Sequence, residues 1–303
     1  GVGLTTLASG TVDMDTTGGT SVALGALTGN HLTVSAGTTV SVGDAHVASL
    51  GIDDATEVTF SGAVTTGGAV TADTAVSGTI QVTGSGSIDA GAGVSLETTG
   101  PLVDIDGSVT GAGAVSLKAD TGTASTNAAV DLDARVESTG GTLDIDAVNN
   151  NDGQTSTVTV NGDLVASSVT LEAIDTNGND AATVTFDGAS TNSLGGYTID
   201  VAGGGTNAVD LQGALIAAGD VLIGTGKGAT ADNITVGAAL TTTAGGKIDL
   251  EAAGALALNA ALTADGTLDL DGDTTLTLNG VTLTGGGAVT VNDALTLATG
   301  AST

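Results

Sequence analysis

Ala255–Asp271, ALALNAALTADGTLDLD, and Thr275–Asn292, TLTLNGVTLTGGGAVTVN, follow one plan. Each opens on an apolar-x-apolar pair followed by asparagine. Each runs through a short apolar stretch to a glycine turn and closes on a second apolar-x-apolar pair followed by an acid or an amide. Alternation with a period of two buries one face of a segment and exposes the other, which is the pattern of a β-strand. Two such strands with a third apolar element between them, within about 20 residues, make the rung of a β-solenoid rather than a helical repeat.

The same plan extends back through the chain. First-strand pairs recur at Leu32/Val34, Val58/Phe60, Ile80/Val82, Val103/Ile105, Val130/Leu132, Val158/Val160, Val184/Phe186, Val209/Leu211, Ile234/Val236, Leu256/Leu258, Leu276/Leu278 and Leu295/Leu297. Second-strand pairs include Val115/Leu117, Leu143/Ile145, Val169/Leu171, Ile199/Val201 and Ile248/Leu250, with third elements at Val109, Val136, Leu215, Leu240, Leu262 and Leu283. The spacing predicts an all-β chain: a right-handed parallel β-helix (β-solenoid) of about twelve rungs, with three short strands per rung. It forms one domain over 1–303, with irregular N-terminal rungs in 1–31, regular rungs in 32–297 and a tail in 298–303.

Composition agrees with that architecture. The chain has 303 residues, 50 of them glycine, with no cysteine, and its only aromatic residues are Phe60, Phe186 and Tyr197. A compact domain of this length fills its core with more aromatic volume, whereas stacked columns of Val, Ile and Leu pack without it. Phe60 and Phe186 are expected in the column through Val34, Val82 and Leu258, and Tyr197 at a turn with its hydroxyl in water. The net charge is −30, and the only basic side chains besides histidine are Lys118, Arg135, Lys227 and Lys247. That balance argues against gripping nucleic-acid phosphates or anionic membranes. No apolar run approaches the ~20 residues of a membrane-spanning helix. The chain starts at Gly1 without methionine or a signal peptide, and reads as a mature or excised piece of a longer precursor.

Rung length varies at one corner. The segments 118–129, 146–157, 172–183 and 224–233 are rich in Asn, Asp, Gly and Thr. The first three belong to consecutive rungs, so they are expected to form adjacent loops on one edge.

Ser138–Ile145 (STGGTLDI), Thr243–Leu250 (TAGGKIDL) and Thr284–Val291 (TGGGAVTV) carry a T-x-G-G-x-L-x-L theme. It resembles the repeats of filamentous-haemagglutinin-type adhesins and autotransporter-passenger β-helix proteins, over Leu32 to Leu297. The resemblance implies a secreted or surface-attached β-helix that binds host, neighbour or self.

Candidate chemistry is sparse. His31 and His46 flank the Leu32 rung, Asp44 lies near His46, and no motif places a nucleophile beside them. No enzymatic activity is expected. A polysaccharide-processing enzyme is a remote alternative, because the chain lacks the basic residues and aromatic groove that such β-helices generally use. Acidic ladders are more informative, because stacking places equivalent outward residues about 4.8 Å apart. Asp104 and Asp106 should lie beside Asp131 and Asp133, and Asp249 and Glu251 beside Asp269 and Asp271. Calcium gathers six to eight oxygen ligands, so both groups are candidate Ca²⁺ sites, set against the plainer expectation of a hydrated acidic face. Asn259 and Asn279 share one column and are expected to form a turn ladder.

Function is then expected at the level of assembly. The chain reads as an extracellular, cell-surface structural module of a filament or stalk. It associates with itself head to tail, through Leu295 and Leu297 at one end and Leu4, Leu7, Val12 and Met14 at the other. The alternative is an adhesin stalk that binds a glycan or a cell surface through the corner loops.

Overall fold

The computed structural model describes residues 12–16, 21–25, 27–122, 126–176, 180–224, 231–292 and 295–297. The described chain is all β, and its strand pairings are parallel. The second-strand face forms one unbroken ladder. It runs through Val12, Leu32, Leu50, Val70, Val94, Val115, Leu143, Val169, Tyr197, Val221, Ile248, Leu268 and Val289, twelve successive pairings. At about 4.8 Å per pairing this ladder is about 58 Å long. The first-strand face runs in the same way from Val22 through Val40, Val58, Ile80 and Val103 to Leu276 and Leu295. The third face runs from Leu27 through Ala45, Val64, Ile88, Val109 and Val136 to Leu164, then from Ser190 through Leu215, Leu240 and Leu262 to Leu283. The chain is a parallel β-solenoid.

The N-terminal part departs from expectation. Leu32 and Val34 sit in the second-strand ladder, between Val12/Met14 and Leu50/Ile52. The first-strand column instead runs Val22/Leu24, Val40/Val42 and Val58/Phe60. Successive members are only 18 residues apart there, against 28 between Val130 and Val158. All faces carry the same period-two pattern, so a spacing of 26 from Leu32 to Val58 looks like one long rung when it crosses between two columns.

The core is a set of apolar columns that interdigitate along the axis. Phe60 stacks between Val42 and Val82, and Phe186 between Val160 and Leu211, all of them buried. Tyr197 is not at a wet turn. It occupies the inward position opposite Val169, so its rung pairs through Tyr197/Ile199 rather than Ile199/Val201. It is 1 % exposed. The third-face column explains why a large ring fits here, because Ser190 stands where neighbouring rungs place Leu164 and Leu215. The tyrosine ring fills the space that serine vacates. Its hydroxyl lies 3.1 Å from Ser190 Oγ and donates to Leu164 O at 3.3 Å. Phe186 packs edge-on against it at 6.0 Å and 87°, a favoured aromatic geometry. Burial pushes the Tyr197 hydroxyl pKa far above its ordinary range.

The G-G turns have a side-chain cap. Ser138 Oγ donates to Gly113 O and accepts from Gly141 N, Asn192 receives Gly195 N and donates to Gly196 O, and Thr242 Oγ1 donates to Gly246 O. These caps point into the solenoid and are buried. They are tolerated because their polar atoms are satisfied and because small residues, Gly111, Ala217 and Ala264, flank them in the ladder.

Candidate functional site

Three surface features follow from the stacking: the acid columns, the extended corner, and the N-terminal histidines. The predicted registers of the acid columns hold. Asp104 pairs with Asp131, Asp249 with Asp269, and Glu251 with Asp271. Asp106 and Asp133 follow Ile105 and Leu132 in adjacent rungs, with Asp133 N donating to Ile105 O. The carboxylates then find different partners. Gln81 Nε2 donates to Asp104 Oδ2 at 2.8 Å, and Asn161 Nδ2 to Asp133 Oδ1 at 2.6 Å. Lys247 Nζ meets Asp249 Oδ2 at 3.1 Å, and Asn292 Nδ2 donates to Asp269 Oδ1 at 3.1 Å. Asp131 Oδ1 is buried with no hydrogen-bond partner. Burial first, then the charges of Asp133, Asp104 and Asp106, raise the Asp131 pKa. Burial also raises that of Asp104, with Gln81 opposing and Asp106 and Asp133 adding. Among the described residues no three His, Cys, Asp or Glu side chains are grouped so as to hold a metal ion. Stacking aligns these carboxylates in rows instead of closing them into a cage.

One such row is longer than the sequence reading anticipated. The position after each second-strand pair forms a column of Asp73, Glu97, Lys118, Asp146, Glu172 and Asp200, resuming at Glu251 and Asp271. The signal was present in the sequence, since each unit closes on an acid or an amide, but it takes the register to show that these form one stripe. Lys118 is the sole cation in the stripe, and it bonds Asp120 at 3.3 Å. At the N-terminal end a bulge follows Ile52, and Asp54 adopts φ +55°. Asp53, Asp54 and Glu97 then join burial in raising the Asp73 pKa, burial being the largest cause. A groove of about 340 Å³ lies over Gly51, walled by Thr33, Thr71, Asp53, Asp73 and Glu97.

The corner expected to carry loops begins as sheet. The strands Val115–Asp120, Leu143–Asn149, Ser168–Asp175 and Gly196–Ala202 run on past the two-residue inward pair. Ala119, Ala147, Ala173 and Val201 are buried in register. Beyond them the Asn and Asp side chains cap backbone groups across rungs. Asp180 Oδ2 accepts from Gln154 N at 3.2 Å, Asn127 Oδ1 from Thr155 N at 3.0 Å, Asn207 Oδ1 from Ala182 N at 3.1 Å, and Asp232 Oδ2 from Asn207 N at 2.7 Å. Asn150 Nδ2 donates to Asp120 Oδ1 at 3.3 Å. The Asn/Asp richness of these segments therefore has a structural use: it closes backbone donors that the lengthened turn would leave open.

His31 Nδ1 lies 2.6 Å from Ser49 Oγ, a pair 18 residues apart in sequence that the stacking brings together at an exposed position. His46 lines a shallow groove with Asp44, but Asp44 Oδ1 accepts from the Ala63 backbone at 2.9 Å. Of the residues expected at the ends, Leu4 and Leu7 lie outside the described residues, and Val12 and Met14 pair with Leu32 and Val34. No described helix is long and apolar enough to cross a membrane. No family model matches the chain, and no curated protein or solved structure does either.

Proposed function

We propose that this chain is an extracellular structural module, a β-solenoid segment of a surface filament or stalk, with a mechanical rather than catalytic role. One observation carries the reading. The second-strand ladder continues without interruption to a layer whose inward-column apolar residues are left open along the axis, with Val289 47 % and Val291 36 % exposed, while the equivalent Leu268 and Leu270 one rung below are fully buried. Such a layer is a template for another β-layer. That layer comes either from more of the same polypeptide or from a second copy stacked head to tail. The likeness to haemagglutinin-type and autotransporter repeats supports the same assignment. Negative-stain microscopy and light scattering test it. Rods should lengthen with concentration, and Val289→Asp with Val291→Asp should hold the chain at single-module length. A wild-type chain that stays monomeric at high concentration and high salt rejects self-stacking, and reducing-sugar release from a polysaccharide would overturn the non-catalytic role.

The corner supports a second reading, glycan binding by a stalk. Its polar side chains are already ordered by cross-rung hydrogen bonds, which lowers the entropic cost of binding. A glycan array on the intact chain separates this from a purely structural role.

A further inference from the structure

Asparagine followed by glycine is chemically unstable, because the glycine nitrogen can attack the asparagine side-chain carbonyl without steric hindrance. The sequence has three such pairs: Asn161-Gly162, Asn177-Gly178 and Asn279-Gly280. The solenoid treats two of them in opposite ways, and the third lies outside the described residues. The Gly162 N–H donates to Leu132 O at 3.1 Å. Its backbone is pressed against the rung below, so that a Cβ placed there would stand 2.1 Å from Ala134 O. A nitrogen committed to the ladder, on a backbone with no room to rotate, cannot reach the side chain beside it.

Asn279-Gly280 is in the other condition. Both residues are exposed. Gly280 adopts φ +68°, and nothing lies within 4 Å of where its Cβ would be. Among the described residues its N–H makes no hydrogen bond. Of the five Asp-Gly pairs, which could follow the same chemistry more slowly, three have the glycine nitrogen tied to backbone as Gly162 is, and at Asp152-Gly153 the Gly153 N–H donates to Asp180 Oδ2. Gly107 N donates to Val82 O, Gly188 N to Val160 O and Gly266 N to Gly246 O. We infer that Asn279 is a site of spontaneous deamidation, selected over Asn161 by the fold rather than by the dipeptide.

The step is balanced without any cofactor. Gly280 N, losing its proton, forms a bond to Asn279 Cγ. The Cγ–Nδ2 bond breaks, ammonia leaves, and a five-membered succinimide remains. Water then opens the ring at either carbonyl and gives aspartate or isoaspartate, so that one amide and one water become one carboxylate and one ammonium. The consequence is local. Asn279 Nδ2 donates to Asn259 Oδ1 in the turn ladder, and deamidation removes that donor. The isoaspartate product also adds a main-chain carbon between the strands Thr275–Leu278 and Leu283–Gly285. Both changes fall next to the layer that carries Val289 and Val291, so the reaction ages the surface on which a further rung would stack.

The experiment is peptide mapping by mass spectrometry, after incubating the folded chain at mildly alkaline pH and, in parallel, the chain in denaturant. In the folded chain the peptide with Asn279 should gain one mass unit, as a mixture of aspartate and isoaspartate, several-fold faster than the peptide with Asn161. In denaturant the two rates should converge. Equal rates in the folded chain would overturn the inference. So would an Asn279 that stays amidated when folded but converts when denatured.

Discussion

The pairing of Tyr197 with Ser190 makes a quantitative prediction about how this solenoid balances its core. Tyr197 is buried and fills the space left by a serine in a column of leucines. Replacing it by the valine of the adjacent rungs, Tyr197→Val, leaves a cavity beside Phe186 and should cost about 2–4 kcal/mol, on the scale of other large-to-small core changes. Ser190→Leu restores the column but drives its side chain into the tyrosine ring, and overpacking of that kind costs about 1–3 kcal/mol. That change also removes the Oγ that receives Leu164 N at 3.2 Å and contacts the Tyr197 hydroxyl at 3.1 Å. The two substitutions together rebuild the arrangement of the neighbouring rungs, Val with Leu. The double variant should therefore lie within about 1 kcal/mol of the wild type, a coupling of several kcal/mol between contacting residues. Tyr197→Phe, which removes only the hydroxyl, should cost about 1 kcal/mol. Denaturant unfolding supplies the midpoints. Hydrogen exchange of the Ser190, Tyr197 and Val221 rungs supplies the local values, because long repeats need not unfold in one step. Costs that simply add in the double variant would refute the exchange of volume between the two columns.

Other expectations follow from the same stacking. Leu258→Asp buries an unpaired charge in a fully closed column and should cost several kcal/mol, read as a loss of folded material on expression. Gly213→Ala places a Cβ 1.8 Å from Gly188 O, where Gly37→Ala meets nothing within 4 Å, so thermal melting should separate a damaging change from a neutral one. Asp73, Asp104 and Asp131 all have pKa values raised in the folded chain. The folded state holds their protons more tightly than the unfolded state, so their destabilising effect is full above the folded pKa and fades as pH falls toward the unfolded values. Melting temperature should therefore rise as the pH falls through the raised folded pKa values toward the ordinary carboxylate range, and Asp131→Asn should raise it at neutral pH and flatten the trend. For the rows Asp249, Glu251, Asp269 and Asp271, sodium and calcium salts at matched ionic strength should raise the melting temperature alike. A gain confined to calcium and abolished by chelator would instead establish Ca²⁺ sites there.

The solenoid was legible because its signal is repeated. Leu256/Leu258 over Leu276/Leu278 and Ile248/Leu250 over Leu268/Leu270 pair as the motif requires, and the acid registers come with them. What escaped was information that a periodic pattern does not encode. Leu32 carries the same alternation as Val22 and Val40, so pattern alone cannot say which face it joins when the rung shortens to 18 residues. Tyr197 follows Gly196 directly, one residue sooner than Leu143 follows Gly141, and that shift turns the ring inward. The corner segments looked like loops because Asn and Asp are rich in turns. Their first residues, Ala119 to Asp120 and Ala147 to Asn149, remain in the sheet because small buried alanines stack there.

Charge completes the argument for growth along the axis. In-register stacking turns one acidic position into a row of carboxylates, each about 4.8 Å from the next, which single-sequence charge counting understates. Two solenoids approaching side by side on this face would bring the stripe through Asp146, Glu172 and Asp200 of one against that of the other. Sheets packed face to face lie about 10 Å apart, which brings the side-chain carboxylates of two such rows inside the screening length of about 8 Å at physiological ionic strength. The end layer is different. Where lower rungs carry Asp249 and Glu251, then Asp269 and Asp271, the outermost rung carries Thr290 and Asn292. An added layer therefore meets two neutral side chains that can donate hydrogen bonds, beside exposed Val289 and Val291. The same −30 charge that opposes lateral association on the acidic face leaves the axial direction open, and it makes the proposed stacking the less salt-sensitive of the two contacts. Replacing Thr290 and Asn292 by Asp should reverse that: axial assembly would then require high salt, and light scattering across a salt series would detect the change. Assembly of that variant at low salt, equal to wild type, would show that charge at the end layer does not govern growth.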